Sequence, residues 1–221
     1  MTISIRWLGH ASFQINVDDK VIYIDLYRSK NLRERVPDVL PPATLVLATH
    51  SHNDHCFPEA IKEVRSKDTV VIAPADCGEK LGGNITSLKP GEDAEVQGIG
   101  IKAVHAYNVK RFRSPGSPYH PKGFGVGYLI SAKGKTIYFA GDTDVIPEMS
   151  ELGSIDVALL PCGDTYTMDN ADAVEATKII KPKLVIPMHT WDKSTDEFKN
   201  GIEGEADIKF LPLKEGDSHT L

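Results

Sequence analysis

The sequence predicts an α/β fold in which two β-sheets are flanked by helices. Three observations lead there. Apolar runs of strand length recur in both halves of the 221 residues, helical segments fall between those runs, and no linker, repeat or low-complexity stretch divides the chain. With 41% hydrophobic residues and mixed charge, a chain of this length can bury a core, so a single domain over residues 1–221 is expected.

The amino-terminal elements read as a meander. Residues 3–7, 13–17 and 21–26 are strands separated by Gly and Asp-Asp turn signals, and residues 13–17 alternate strictly between apolar and polar. The short apolar run 44–48 has the pattern of a buried strand. A helix follows over 58–67 with Pro58 in its first turn, then a strand at 69–73. A second series of strands is expected at 94–96, 100–106, 125–131, 135–140, 157–160, 184–187 and 208–213. Helices are expected at 145–152 and 171–181, the latter capped by Asp169 or Asn170 with Asp172 in its first turn. The Pro-Gly-rich stretch 114–118 reads as an exposed loop.

Composition excludes several function classes. A net charge of −6 does not suit wholesale phosphate binding, so no nucleic-acid partner is expected. No stretch approaches the roughly eighteen apolar residues of a membrane span, and residues 1–6 lack a secretory pattern, so no membrane association is expected. Three irregularly spaced cysteines, Cys56, Cys77 and Cys162, form no CxxC pair and point to a reducing cytoplasm. Cys162 reads as a small buried filler.

The chemistry concentrates just past the run 44–48. His50, His52, Asp54 and His55 place four ligand-type side chains in six positions, in a chain with eight histidines. Imidazole nitrogens and carboxylate oxygens suit zinc and comparable divalent ions, whereas calcium requires a mostly oxygen shell. If the segment is extended, alternation sends His50 and His52 to one side, while Asp54 and His55 lie in a turn beyond. Asp142 and His189 each end a strand, at Gly141-Asp142 and Met188-His189.

The stretch Thr49-His50-Ser51-His52-Asn53-Asp54-His55 resembles the HxHxDH signature of the metallo-β-lactamase superfamily. The resemblance covers nearly the whole chain. Trp7-Leu8-Gly9-His10-Ala11-Ser12-Phe13 is similar to the opening strand pair, Phe139-Ala140-Gly141-Asp142-Thr143 to the Gly-Asp element and Ile186-Pro187-Met188-His189 to the last histidine element. It implies a four-layer αββα sandwich with two mixed sheets, and two divalent metal ions, Zn²⁺ foremost with Mn²⁺ or Fe²⁺ as alternatives. His50 and His52 would bind the first ion, Asp54 and His55 the second, Asp142 would bridge them and His189 would complete the second. A further histidine usually comes from mid-chain. His105 is the expected ligand there, with Asn108 and His120 as the alternatives.

The implied reaction is hydrolysis by a metal-bound hydroxide. Asp54 would orient that nucleophile, with His120, His10 and Tyr107 as unranked candidates to assist the leaving group. Asp25, ending a strand, is expected to accept a hydrogen bond from a ligand histidine and fix its tautomer. Arg28, Arg33, Arg35, Lys110, Arg111, Arg113 and Lys122 are expected near the rim, where guanidinium groups suit phosphate or carboxylate. A small anionic ester, phosphodiester or lactone is therefore the expected substrate. The rival readings are a non-catalytic module whose metals staple its loops and an iron-dependent redox relative. Oligomeric state, including a homo-oligomer, stays open.

Overall fold

A computed structural model describes residues 2–27 and 39–221. Arg28, Arg33 and Arg35, expected to border the site, lie outside the described residues. The chain divides into two compact units, Met1–Leu88 with Leu213–Leu221, and Lys89–Pro212.

The first unit opens with β1 (Ile3–Gly9), β2 (Ser12–Val17) and β3 (Lys20–Ile24), followed by β4 (Leu45–Leu47), α1 (Pro58–Val64), β5 (Val70–Ile72) and α2 (Ala75–Leu81). The second unit contains β6 (Asp93–Val96), β7 (Ile99–Ala106), β8 (Phe112–Ser114), β9 (Ser117–Pro118), β10 (Gly125–Ala132), β11 (Lys135–Phe139), β12 (Val157–Pro161), α3 (Asn170–Ile180), β13 (Leu184–Met188), α4 (Asp196–Gly201) and β14 (Lys209–Phe210). The final strand, β15 (Ser218–Thr220), pairs with β1.

Each unit holds one large mixed sheet, the sheet content of the metallo-β-lactamase fold. In the first the order is β15-β1-β2-β3-β4-β5, antiparallel as far as β3 and parallel from β3 to β5. In the second the order is β14-β13-β12-β11-β10-β7-β6, antiparallel from β6 to β11 and parallel from β11 to β14. The change from meander to parallel strands is written in the residues. β4, β12 and β13 are continuous apolar runs buried at every position, as strands covered on both faces must be. The core beside α1 is built from Tyr23, Val46, Ile61, Val64 and Val71, and the core beside α3 from Tyr138, Ala158, Leu160, Ala176 and Val185.

Several expected elements change. The helix expected at 145–152 is a 3₁₀ turn, Pro147–Glu151, started by Pro147. The helix expected at 58–67 stops at Val64, because Arg65 turns to extended backbone. α2 and α4 went unread because neither carries an apolar stripe: α2 contains Gly78 and buries only Cys77, and α4 buries only Phe198. The loop expected at 114–118 is the tip of the β8–β9 hairpin. Asp169 is the cap of α3, accepting from the Asp172 N–H at 2.8 Å. No helix among the described residues is long and apolar enough to cross a membrane.

One glycine governs how closely β11 can approach. A Cβ on Gly127 of β10 would meet the carbonyl oxygens of Phe139 and Ala140 at 2.8 and 2.9 Å, both rigid backbone atoms two or three residues before Asp142. Gly127→Ala is expected to destabilise the protein by about 1–3 kcal/mol through overpacking. Urea unfolding measures this, and an unchanged midpoint would show that β11 has room to move.

Candidate metal centre

In the first unit the histidine turn hangs from one buried carboxylate. β3 ends at Ile24, and Asp25 follows with φ 47°, its amide donating to the Leu47 carbonyl of β4 at 2.9 Å. The fully buried Asp25 carboxylate accepts the Thr49 N–H and the Thr49 hydroxyl, each at 2.7 Å, and lies 2.7 Å from His55 Nδ1. Burial pushes this carboxyl up, while the neighbouring His55 and the Thr49 donors act against that rise.

These bonds assign protons to the imidazoles. An ionised Asp25 only accepts, so His55 Nδ1 carries its proton and Nε2 presents a lone pair. Thr49 has spent its single O–H on Asp25, so its oxygen accepts from His50 Nδ1–H at 3.0 Å, and His50 Nε2 is likewise an acceptor. His50 Nε2 stands 3.0 Å from His52 Nδ1. Two ligands of a tetrahedral zinc sit about 3.3 Å apart, given Zn–N distances of about 2.0–2.1 Å. Residues 49–52 bend and 53–55 turn, the His55 and Cys56 amides both donating to the His52 carbonyl. His50 and His52 therefore face one side as expected, from a bend and not from an extended strand.

Asp54 and His10 complete this set. Asp54 Oδ2 lies 3.1 Å from His10 Nε2 and 3.7 Å from His55 Nε2, and the ligand atoms of these three residues fall within 4.8 Å of one another. His10 occupies the β1–β2 turn at φ 52°, its carbonyl fixed by Trp7 Nε1–H at 2.9 Å. Left-handed backbone of this kind is uncommon for a non-glycine residue, histidine being among the types that tolerate it.

The second unit assembles its own set around Asp142, which follows β11 through Gly141 at φ 65°. Asp142 Oδ2 lies 3.3 Å from His120 Nε2 and 3.4 Å from His189 Nε2, with all three side chains almost wholly buried. His189 follows β13 directly and adopts φ 52°. His120 is held by Asn108, whose Oδ1 accepts the His120 backbone N–H at 2.8 Å and lies 2.9 Å from its Nδ1. The Asn108 amide nitrogen donates to the Tyr166 carbonyl, which identifies Oδ1 as the acceptor facing the ring. His120 Nδ1 therefore carries the proton and Nε2 points a lone pair at the Asp142 carboxylate. A lone pair facing a carboxylate is stable only with a proton or a metal cation between them, and the His and carboxylate donors suit a divalent ion.

His105, the expected mid-chain ligand, lies on β7. His105 belongs to no cluster of ligand-type side chains among the described residues. It sits on β7 opposite Val126, 6.2 Å from the Tyr107 ring, and lines a cavity of about 190 Å³ with Leu129, Glu148 and Leu152. Its position three residues before Asn108 puts it inside the strand, whereas the loop after β7 returns His120 to Asp142. Cys162 is buried, and that burial pushes its thiol up to about 12, far from a thiolate ligand.

The loop from 107 to 120 depends on a second buried carboxylate that the sequence reading missed. Asp144 Oδ2 accepts the backbone N–H groups of Val109, Lys110 and Arg111 at 2.8, 2.7 and 3.1 Å. The Arg111 guanidinium, expected at the rim, turns inward to Asp144 at 3.3 Å, Asp169 at 3.0 Å and Asp172. Lys110 pairs with Asp172 and Lys122 with Glu148, both at 2.7 Å. The only sequence signal for this network was the second aspartate in Gly141-Asp142-Thr143-Asp144.

A family model described as the beta-lactamase superfamily domain matches residues 4–189. A UPF0173 metal-dependent hydrolase of Pelotomaculum thermopropionicum is 33% identical, the match covering 99% of this chain and 100% of the relative. Another from Thermococcus kodakarensis is 34% identical over 95% of this chain and 96% of its own. Among solved structures, one from Parabacteroides distasonis, 33% identical, has a TM-score of 0.85 and covers 96% of this chain and 94% of its own. Igni18, a metallo hydrolase from Ignicoccus hospitalis, is 27% identical with a TM-score of 0.77, covering 100% and 99%.

Arg111→Ala strands several carboxylates, one of them fully buried, and should cost about 3 kcal/mol or more at pH 7. Burial works to raise the Asp172 carboxyl, but hydrogen bonds from Lys110 and Arg111 outweigh it and hold the group below the ordinary aspartate range. That contribution is complete above the unfolded aspartate value of about 3.9 and is lost as pH falls through the lower folded value. Urea unfolding between pH 7 and acid should thus show a steeper acid loss in the parent than in Arg111→Ala; equal slopes would contradict the ion-pair account.

Proposed function

The chain belongs to the beta-lactamase superfamily and, within it, to the UPF0173 metal-dependent hydrolases; from that premise we propose that it hydrolyses a small anionic ester, phosphodiester or lactone with two divalent ions, zinc foremost. His50, His52, Asp54, His55, Asp142 and His189 serve as ligands, and His120 takes the part expected of His105. One observation carries this reading: the Nε2 lone pairs of His50, His55 and His120 are exposed by hydrogen bonds that hold the other ring nitrogen protonated, and those of His55 and His120 are aimed at carboxylate oxygens.

Divalent ions held by these residues would lower the pKa of a bound water toward neutrality and would polarise the oxygen of the bond to be cut. The chain's own residues do the rest. Asp25 and Thr49 keep His50 and His55 in the ligating tautomer, and Asn108 does the same for His120. Asp54, in contact with His10, orients the attacking water, and His10 is the group placed to pass a proton to the leaving oxygen. His120 acts as a ligand instead of the acid considered from sequence, because its Nε2 faces Asp142. The family model runs from residue 4 to 189 and so includes residues of both units, which supports reading 1–221 as one domain. Cys56, Cys77 and Cys162 are buried thiols, in keeping with a reducing cytoplasm.

Elemental analysis of protein purified without added metal is expected to find about two equivalents of divalent ion, lowered in His50→Ala and in Asp142→Ala. Turnover on a panel of aryl phosphodiesters, esters and lactones should fall at least about a hundredfold in both variants. Full metal content in either variant would overturn its ligand assignment, and bound metal with no turnover anywhere in the panel would favour the staple.

A further inference from the structure

Beyond its set of ligand-type residues, the second unit carries a row of exposed and half-buried aromatic rings that the hydrolytic chemistry does not use. Trp191 lies two residues after His189, and its ring stands edge-on to the imidazole with centroids 5.4 Å apart at 83°. Tyr166 follows at 6.2 Å from Trp191, and Tyr119 at 4.8 Å from Tyr166. The row ends where the Arg113 guanidinium lies 5.6 Å above the Tyr119 ring. Trp191 is 49% exposed and Tyr166 38%, although large aromatic side chains are normally mostly buried.

The backbone holds this row in place under strain. His189, Trp191 and Asp192 adopt φ of 52°, 50° and 59°, and Asp164 and Thr165, just before Tyr166, adopt 64° and 62°. The two turns lie in close contact, because a Cβ on Gly163 would run into the carbonyl of His189 and come within 2.8 Å of Trp191 Cδ1. Strain of this kind persists only where the surroundings over-determine it, and it gathers at ligand clamps and active sites.

Charge adds a second, independent observation. Lys110, Arg111 and Lys122 are all taken up by carboxylates, whereas no carboxylate among the described residues pairs with Arg113. An exposed, uncompensated guanidinium stacked on a tyrosine is suited to grip an anion in bidentate fashion.

The geometry points to a substrate wall: Trp191 and Tyr166 stack the flat, unsaturated body of the substrate, and Arg113 holds an anionic group at the end remote from His189. This rests on the hydrolase reading and narrows its substrate to an elongated aryl or similarly planar molecule bearing a carboxylate or phosphate. The bond to be cut lies toward His189. A partner protein covering the same rings is the competing occupant, and it makes no demand for a small planar anion.

The test uses the full-length protein as purified and three probes: 2-naphthoate, the neutral 2-naphthalenemethanol and the non-planar cyclohexanecarboxylate, titrated by calorimetry. 2-Naphthoate is expected to bind most tightly. Trp191→Ala should weaken both naphthyl probes by about three- to tenfold, the range of one aromatic contact, and Trp191→Phe should restore most of the loss. Arg113→Gln should weaken 2-naphthoate by about tenfold and leave the neutral probe unchanged. Metal content should equal the parent's in every variant. Equal affinity of parent and variants for 2-naphthoate, or no saturable binding of it at about 1 mM, would overturn the wall. Probe binding that responds to Trp191 and Arg113 in a protein containing no metal would sink the hydrolase reading and leave the wall standing. Turnover with unresponsive variants would do the reverse.

Discussion

The Asp25 carboxylate, buried at the end of β3, is the interaction on which the histidine turn depends. Taking an ionised carboxylate out of water is costly unless donors surround it, and here one amide, one hydroxyl and one imidazole N–H do so. All three donors come from Thr49 and His55, which bracket His50, His52 and Asp54. Satisfying one buried charge therefore shapes the whole turn. The same bonds settle the tautomers of two imidazoles, so a constraint that begins as a problem of burial ends as a decision about which nitrogens can ligate a metal.

The second unit repeats the device with different parts. Asp144 is fully buried, collects three successive backbone amides and is paired with Arg111, so the loop after β7 is folded around a carboxylate as the turn after β4 is. In one unit Asp25 and the turn 49–55, and in the other Asp142 and His189, follow the carboxyl ends of strands in the parallel part of the sheet. Open α/β sheets place ligands at that end, since there the chain leaves the ladder and can turn freely. The arrangement also explains where basic residues go. Arg111 serves structure, which leaves Arg113 on the same loop for an anion from outside.

Stability has been given up locally to achieve this. His10, Asp25 and His189 all occupy left-handed backbone, where a non-glycine residue costs of order 1–3 kcal/mol. Close approach adds its own demand, met by Gly127 beside the end of β11 and Gly163 beside the His189 carbonyl. Apolar strands such as β12 and β13, buried throughout, supply the compensating burial from which these turns project.

Much of this was legible in the residue order. Alternation over 13–17 marked β2, unbroken apolar runs marked β4, β12 and β13, and His50-His52-Asp54-His55 declared a metal-binding chemistry, because strand pleating, burial and ligand type are local properties of neighbouring side chains. The short helices α2 and α4 escaped since each buries a single side chain and so writes no periodicity. Tertiary structure alone decided that His120 and not His105 meets Asp142, and that Arg111 faces inward. Both outcomes hang on partners far along the chain: Asn108 is twelve residues from His120, and the aspartates around Arg111 are 33 to 61 residues away. Residue order names the groups that need a partner; only closure of the loops around buried charges determines which partner each one finds.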